Sequence, residues 1–297
     1  MDGYKRIFRS SRIRIIILAL LRILPDRLML KLQYRIKFKR KLDLTDPKRF
    51  TEKIQWYKLF YRDPLMPVCS DKYAVRSYVR KKGYENILVD LYKVFKRPED
   101  ISFDDLPEKF VLKLSNGSGT NLLCRSKSSL DVRKVRRDFK SFLFKARANL
   151  GREWPYMKSE PVIVAERLLE DEGHENNAVN DYKIFCYSGK PKYIICISDR
   201  YSDKCNHLVY DTGWHKIPVA SEGADLSADS PRPETLDEML EIAGTLSEDF
   251  PFARVDLYSV SGKVFFGEIT FFPWSGYMEF DPDDFDYELG KHFILPM

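Results

Sequence analysis

Cysteine and histidine are scarce in this sequence: Cys69, Cys124, Cys186, Cys196 and Cys205, and four scattered histidines, among 297 residues. No C-x-x-C pair occurs, and the cysteine count is odd. That excludes a disulfide framework and points to the reduced thiols of a cytoplasmic protein. Cys205 and His207 are close in sequence but have no second ligand pair at zinc spacing, which excludes a structural zinc site. The apolar stretch "IRIIILALLRIL", residues 13–24, is interrupted by Arg14 and Arg22 and is too short for a spanning helix, which needs about 20 apolar residues. No small-x-small cleavage site follows it, so it does not read as a signal peptide. No G-K-[ST] closes a glycine-rich loop, so there is no Walker motif. Internal repeats and low-complexity tracts are also missing.

The length suits one large domain or two to three compact subdomains with ample core. Apolar content of 44% and charged content of 32% are ordinary for a soluble globular protein, while 14% aromatic is high. The net charge of +6 is unevenly spread. Residues 1–41 carry 13 Lys/Arg and two acids, which leaves the remainder at −5. A basic arm is one sign of nucleic-acid binding, but its apolar content argues against that, and no nucleic-acid partner is expected. Residues 1–41 read as basic amphipathic helices that either cover part of the core or lie on the anionic inner face of a membrane.

Residues 26–41 read as a helix with Asp26 as N-cap. "TDPKRFTEKIQWYKLFYRDP" reads as an amphipathic helix with an N-cap and a Pro near the first turn. "SDKYAVRSYVRKKGY" starts another, capped by Ser70 or Asp71 and stopped by Gly83. "FVLKLSNGSGTNLLC" is a strand, a polar glycine-containing loop and a strand. Residues 131–150 form a basic helix, "PVIVAERLLE" a strand entering a polar turn, and "DYKIFCYSGKPKYIICISDR" a hairpin. Residues 212–235 are loop-rich and 234–249 helical. Strands and helices mix without regular alternation, which favours an α+β fold.

Four stretches carry chemistry. Lys113 lies in an apolar strand just before Ser115, Asn116, Gly117, Ser118 and Gly119; such a loop brings backbone N–H groups close to a phosphate, or it is an ordinary hairpin beside a solvent-facing lysine. Glu166 ends an apolar strand, as a nucleotide-binding hinge or simply as a strand end. Asp181 and Lys183 share one face of a strand by alternation, where a lysine oriented by a carboxylate meets phosphates. In "RVDLYSVSGKVFFGEIT", residues 254–270, alternation places Arg254 with Asp256 and Glu268 with Thr270. If the strands pair, Asp256 and Glu268 meet. Facing carboxylates repel unless a cation lies between them, and hard oxygen ligands of this kind suit Mg²⁺. Arg254 then points to where negative charge develops in a transition state. The alternative is a half-exposed hairpin with surface ion pairs.

In chain order these pieces resemble the ATP-grasp superfamily, and more closely its TupA-like family of bacterial surface-polysaccharide biosynthesis. The phrases that carry the resemblance are "DPKRFTEKIQWYKL", "SDKYAVR", "FVLK", "NGSG", "DYKIFC", "DFPFARVDLY" and "FGEITFFP", over about residues 40–297. The resemblance implies a region of residues 42–109, helical or α+β, followed by ATP-grasp subdomains over 110–297, the small one about 110–165 and the large one about 166–297, gripping ATP between them. It further implies that Lys72 and Lys113 contact the α- and β-phosphates, that the loop from Ser115 to Thr120 covers them, that Glu166 and Leu168 read the adenine and that Glu170 holds the ribose. Lys183 and Arg200 would approach the γ-phosphate, Asp256 and Glu268 would hold Mg²⁺, and Arg254 would stabilise the transferring group. The superfamily usually has Asn two residues after the second metal acid. Thr270 stands there, as in the TupA-like group; its hydroxyl is a weaker ligand, which leaves one metal or two open.

The activity so implied is an ATP-dependent carboxylate–amine ligase working through an acyl phosphate. Its carboxylate would belong to a sugar acid or an amino acid, and its amide product to a cell-surface glycan or precursor. A sugar kinase on the same ATP platform and a glycosyltransferase are the alternatives; for the latter there is an Asp281-Pro282-Asp283, although in an acidic, loop-like stretch. His174 and His215, in polar loops, are weak candidates for a base, and Trp274 is a candidate for lining an acceptor pocket.

Overall fold

A computed structural model describes residues 24–171, 177–199, 202, 204–221 and 224–296. The elements run α1 (Asp26–Phe38), α2 (Phe50–Phe60), α3 (Leu65–Ser70), α4 (Val75–Lys81), β1 (Leu91–Phe95), β2 (Phe110–Leu114), β3 (Leu122–Cys124), α5 (Val132–Ala148), β4 (Ile163–Glu166), β5 (Asp181–Tyr187), β6 (Lys190–Ser198), β7 (Asn206–Asp211), β8 (Lys216–Ile217), β9 (Ala220–Ser221), α6 (Leu236–Ser247), β10 (Ala253–Val260), β11 (Lys263–Thr270), β12 (Phe280–Asp281) and α7 (Phe285–His292). The fold is α+β, with antiparallel sheets.

Local chemistry sets several boundaries. Asp131 caps α5 by accepting from the Arg133 amide at 2.8 Å, and Asn149 closes it in the left-handed conformation. Asp71 accepts from the amides of Tyr73 and Ala74, both at 2.9 Å, and so shapes the turn into α4. Two expected starts shift. Helix α2 opens at Phe50, after Thr45-Asp46-Pro47, because Glu52 reaches back to the amides of Lys48 (3.0 Å) and Arg49 (3.1 Å). Pro25, which makes no side-chain cap, precedes α1, and Asp26 is its first residue, an acid in the first turn and not the N-cap.

A six-stranded sheet in the order β11-β10-β5-β6-β7-β8 forms the larger body. Helix α6 packs on β10, β5 and β6, and α2 packs on α7. Phe50, Ile54 and Tyr57 of α2, Met66 of α3 and Val75 of α4 share one apolar core with that sheet. A four-stranded sheet, β1-β4-β2-β3, has a separate core in which Val135 and Phe139 of α5 meet Phe110, Leu112 and Ile163. Strand β1 pairs with β4, so the small sheet draws on residues before 110. Helix α1 buries Met29, Leu30 and Tyr34 and leaves Leu28 and Leu32 exposed, so this part of the basic segment does cover core; residues 1–23 lie outside the described residues. Among the described residues no helix is long and apolar enough to cross a membrane.

Candidate active site

The cleft between the two sheets gathers the charged residues of the 254–270 hairpin. Strands β10 and β11 pair with Arg254 opposite Thr270 and Asp256 opposite Glu268; on its other side Asp256 faces Lys183 of β5. A bulge between Asp256 and Leu257 leaves Gly267 unpaired. A Cβ at Gly267 would lie 2.8 Å from the Asp256 carbonyl oxygen and 3.2 Å from the Tyr258 ring, so only glycine allows β11 to pass this closely and keep Glu268 in register.

These side chains interlock. Arg254 donates to Asp256 in fork geometry, Nε to Oδ1 at 2.6 Å and Nη2 to Oδ2 at 2.7 Å. Lys183 Nζ lies 2.5 Å from Asp256 Oδ2 and 2.8 Å from Asp181 Oδ2. Arg254 Nη2 also reaches Glu268 at 3.4 Å and Thr270 Oγ1 at 3.3 Å. Lys72 Nζ bridges Glu268 Oε2 at 3.0 Å and the Gly117 carbonyl at 2.8 Å, tying the 115–120 loop to β11. Asp256 and Asp181 are each 1% exposed, whereas Glu268 leaves a third of its side chain open to the cleft. Burial pushes the Asp256 carboxyl up, against the pull of the Arg254 and Lys183 charges. Burial opposes ionisation of Glu268 too, but Lys72, Lys183 and Arg254 outweigh it and hold that carboxyl well below the ordinary range.

The glycine-containing loop is anchored at its first residue. The Ser115 hydroxyl donates to Asp71 Oδ2 at 2.6 Å and its backbone carbonyl accepts from the Lys72 amide at 2.8 Å, so this residue is a joint between the two sheets' surroundings. Asn116 donates to the Tyr156 carbonyl at 3.1 Å. Gly117, Ser118 and Gly119 line a small phosphate-sized pocket of about 60 Å³ with Lys72, Lys113, Lys183, Asp256 and Glu268. That pocket shares Lys113, Asn121, Asp181 and Tyr258 with a more apolar one of about 90 Å³, walled by Val89, Val111, Leu168 and Val179. In the other direction it shares Lys72, Lys183 and Glu268 with a cavity of about 670 Å³. The three spaces adjoin one another along the cleft.

Other expected residues fall elsewhere. Glu166 does not line the apolar pocket: its carboxylate is enclosed by Lys113 (2.9 Å) and by Arg76 (3.3 Å), a residue sequence reasoning missed. Glu170, paired with Lys109 at 2.7 Å, lines a space of about 440 Å³ that shares Leu168 and Leu169 with the apolar pocket. Arg200 and His174 lie outside the described residues. His215 is exposed and bonded to Asp211 at 3.0 Å. Asp283 pairs with Arg40 and Arg49 on the surface and lines none of the three spaces. Trp274 does line the large cavity, with the Arg254 guanidinium 5.0 Å from its ring centre. Glu153 and Tyr156, which line the large cavity, and Lys58 behind Ser275 were also missed, because only the tertiary fold brings them together.

Among the described residues no group of three or more His, Cys, Asp or Glu side chains converges as a metal site. A divalent ion here would rest on Asp256 and Glu268, with phosphate oxygens completing its shell, which is how Mg²⁺ is commonly held. The facing register of two carboxylates fits that ion, provided Lys72, Lys183 and Arg254 pass to phosphate oxygens.

Residues 52–294 match the family described as TupA-like ATPgrasp. The chain belongs to the TupA-like ATP-grasp family. No curated protein matches its sequence. Similar solved structures include D-alanine–D-alanine ligase from Bacillus anthracis complexed with ATP, at 16% identity and TM-score 0.39, covering 68% of this chain and 53% of that one. An L-amino acid ligase from Bacillus licheniformis is 14% identical at TM-score 0.45, covering 76% and 47%. The ATP-grasp ligase PsnB, complexed with a phosphomimetic variant of minimal precursor, Mg and ADP, is 12% identical at TM-score 0.40, covering 74% and 57%. This TupA-like chain thus spans about half the length of these ligases, and likenesses at TM-scores below 0.5 say nothing of its activity.

Proposed function

We propose that this TupA-like protein is an ATP-dependent carboxylate–amine ligase acting on cell-surface polysaccharide or its precursors. The observation that carries the reading is the run of three adjoining spaces with Arg254, Asp256, Lys183, Glu268 and Lys72 where the last two meet. The apolar pocket beside Leu168 suits an adenine. Lys113, Lys72 and the loop 115–120 suit the phosphates, with Glu166 acting through Lys113 and not on the base. Lys183 and Arg254 suit the γ-phosphate, and Arg254, once its fork passes from Asp256 to phosphate oxygens, would stabilise negative charge as the phosphoryl group moves to a carboxylate in the large cavity. Mg²⁺ bound by Asp256 and Glu268, beside Thr270, would neutralise phosphate charge. The acyl phosphate then meets an amine, forms the amide and releases phosphate. A cavity of about 670 Å³ falls within the range of about 300–1,000 Å³ typical of small-molecule sites, with room for a sugar-sized or amino-acid-sized reactant. The basic residues of 1–41 would suit a lipid-linked substrate at the inner face of the cytoplasmic membrane.

The test is isothermal titration with a non-hydrolysable ATP analogue and Mg²⁺, comparing the wild type with Asp256→Asn/Glu268→Gln. Metal-dependent binding that disappears in a folded double variant is expected. No binding by folded wild type would overturn the ATP site.

A further inference from the structure

A second polar cluster meets the wall of the large cavity through Glu153 and Ser275, with Lys58 behind them. Lys58 of α2 is 2% exposed, and its ammonium donates to the Ser275 carbonyl at 2.7 Å, to Ser275 Oγ at 2.8 Å and to the Gly151 carbonyl at 2.9 Å. All three of its donors are used, so it fixes two loops and has none left for a ligand. The Ser275 hydroxyl accepts from Lys58 and is bonded to the Glu153 carboxylate. Glu153 is half-buried on the cavity wall, beside Tyr156 and Ser275. The loops meet tightly: a Cβ at Gly151 would run into Ser275 Oγ. Trp274 (φ 46°) and Ser275 (φ 55°) are consecutive non-glycine residues in the left-handed region, a backbone strain that tends to persist where a site needs it. Trp274 in turn carries the Arg254 guanidinium at 5.0 Å, linking this wall to the phosphoryl end of the cleft.

This constellation gives the wall of the cavity a carboxylate, Glu153, that belongs to neither β10 nor β11. A carboxylate there is suited to an ammonium, and the ligase reading requires an amine that is protonated when it arrives. We propose that Glu153 receives the amine substrate of the ligase: it pairs with the ammonium and takes one proton from it, with Ser275 and Lys58 as positioning residues. The proposal rests on the ligase reading above. The proton leaves nitrogen for a Glu153 oxygen; the freed lone pair attacks the acyl carbon, the C–N bond forms, and the C–O bond to phosphate breaks. A second nitrogen proton leaves with phosphate as hydrogen phosphate, and Glu153 returns its proton to solvent. Burial pushes the Glu153 carboxyl up, against the pull of Lys58 and the Ser275 hydrogen bond, in the direction a base near neutral pH needs. Lys58 from α2 and Tyr156 from the turn at Trp154–Met157 are the titratable groups facing it.

The test uses two nucleophiles with wild type and Glu153→Gln, given ATP, Mg²⁺ and a panel of amino acids and uronic acids as carboxylates. Hydroxylamine is neutral at neutral pH and traps an acyl phosphate without help. Ethanolamine, amino sugars and amino acids arrive as ammonium ions. Glu153→Gln should form hydroxamate at the wild-type rate within about 2-fold, which also shows that it is folded. It should lose about 100-fold or more in amide formation, as expected for a lost general base. Its residual amide rate should climb with pH toward the amine's own pKa, where the wild-type rate is flat. Equal amide rates in the two proteins would overturn the assignment of Glu153, as would loss of both activities together. Wild type that makes hydroxamate but joins no ammonium nucleophile would overturn the amine subsite and leave carboxylate activation standing. No hydroxamate from wild type with any carboxylate would overturn the ligase reading itself.

Discussion

Replacing Asp256 with asparagine keeps the side-chain shape and removes one charge from the most enclosed part of the cleft. The native carboxylate accepts from Arg254 at 2.6 and 2.7 Å and from Lys183 at 2.5 Å. An amide turns one of those acceptors into a donor facing a cation. Removing one member of a buried ion pair costs about 3–5 kcal/mol, because the remaining charge stays buried. Two cations lose a partner here, but Lys183 retains Asp181 at 2.8 Å and Arg254 retains Glu268 at 3.4 Å. The lower end, about 3 kcal/mol, is therefore expected. At about 2–4 °C per kcal/mol for a unit of about 150–250 residues, the midpoint of the transition that melts the six-stranded sheet should fall by about 6–12 °C in a circular-dichroism melt. If stranded charge is the cause, adding Arg254→Met to Asp256→Asn should recover part of the loss. A single variant within about 2 °C of wild type, or a double variant less stable than Asp256→Asn, would show that stranded charge is not what the substitution costs.

Gly267→Ala should cost about 1–3 kcal/mol from overpacking against the Asp256 carbonyl and should weaken Mg²⁺-dependent nucleotide binding through Glu268, measured by melting and titration side by side. Glu166→Gln should loosen Lys113 and weaken ATP-analogue binding by about tenfold, about 1.4 kcal/mol, with little change in any metal requirement. Lys58 has a pKa lowered by burial from 10.5 to about 8, so between those values the unfolded chain holds a proton that the folded chain has released. The stability of wild type relative to Lys58→Met should therefore rise between about pH 8 and 10.5, by up to about 3 kcal/mol, in urea unfolding at the two ends of that window. A constant difference would show that Lys58 is not the group responsible.

The hairpin at 254–270 was legible because its information is local: period-two alternation assigns faces, a glycine-containing turn sets the pairing, and charges on an apolar-rich strand stand out. The same holds for Asp181 and Lys183, which adopt the shared face that alternation assigns them. Glu166 reads as a strand-end acid, but its partner Arg76 lies 90 residues earlier, on a helix whose sequence says only that it is amphipathic. Lys58 and Glu153 are 95 positions apart and meet through Ser275, so neither neighbourhood marks them. Helix α2 begins later than its Thr-Asp-Pro suggests because Glu52 supplies the cap from inside the helix.

The two sheets have separate apolar cores, and Ser115, bonded to Asp71 and to the Lys72 amide, is one of the joints between them. Two cores are two cooperative units, each able to melt on its own terms. Without nucleotide, calorimetry should therefore resolve two transitions, the body of α5 and the four-stranded sheet melting separately from the six-stranded one. A ligand that touches both bodies binds only when both are folded, and its binding free energy is shared by both equilibria. ATP would then do more than raise a midpoint: it would merge two endotherms into one, and the concentration at which they coalesce would measure how strongly the nucleotide couples the jaws of the clamp.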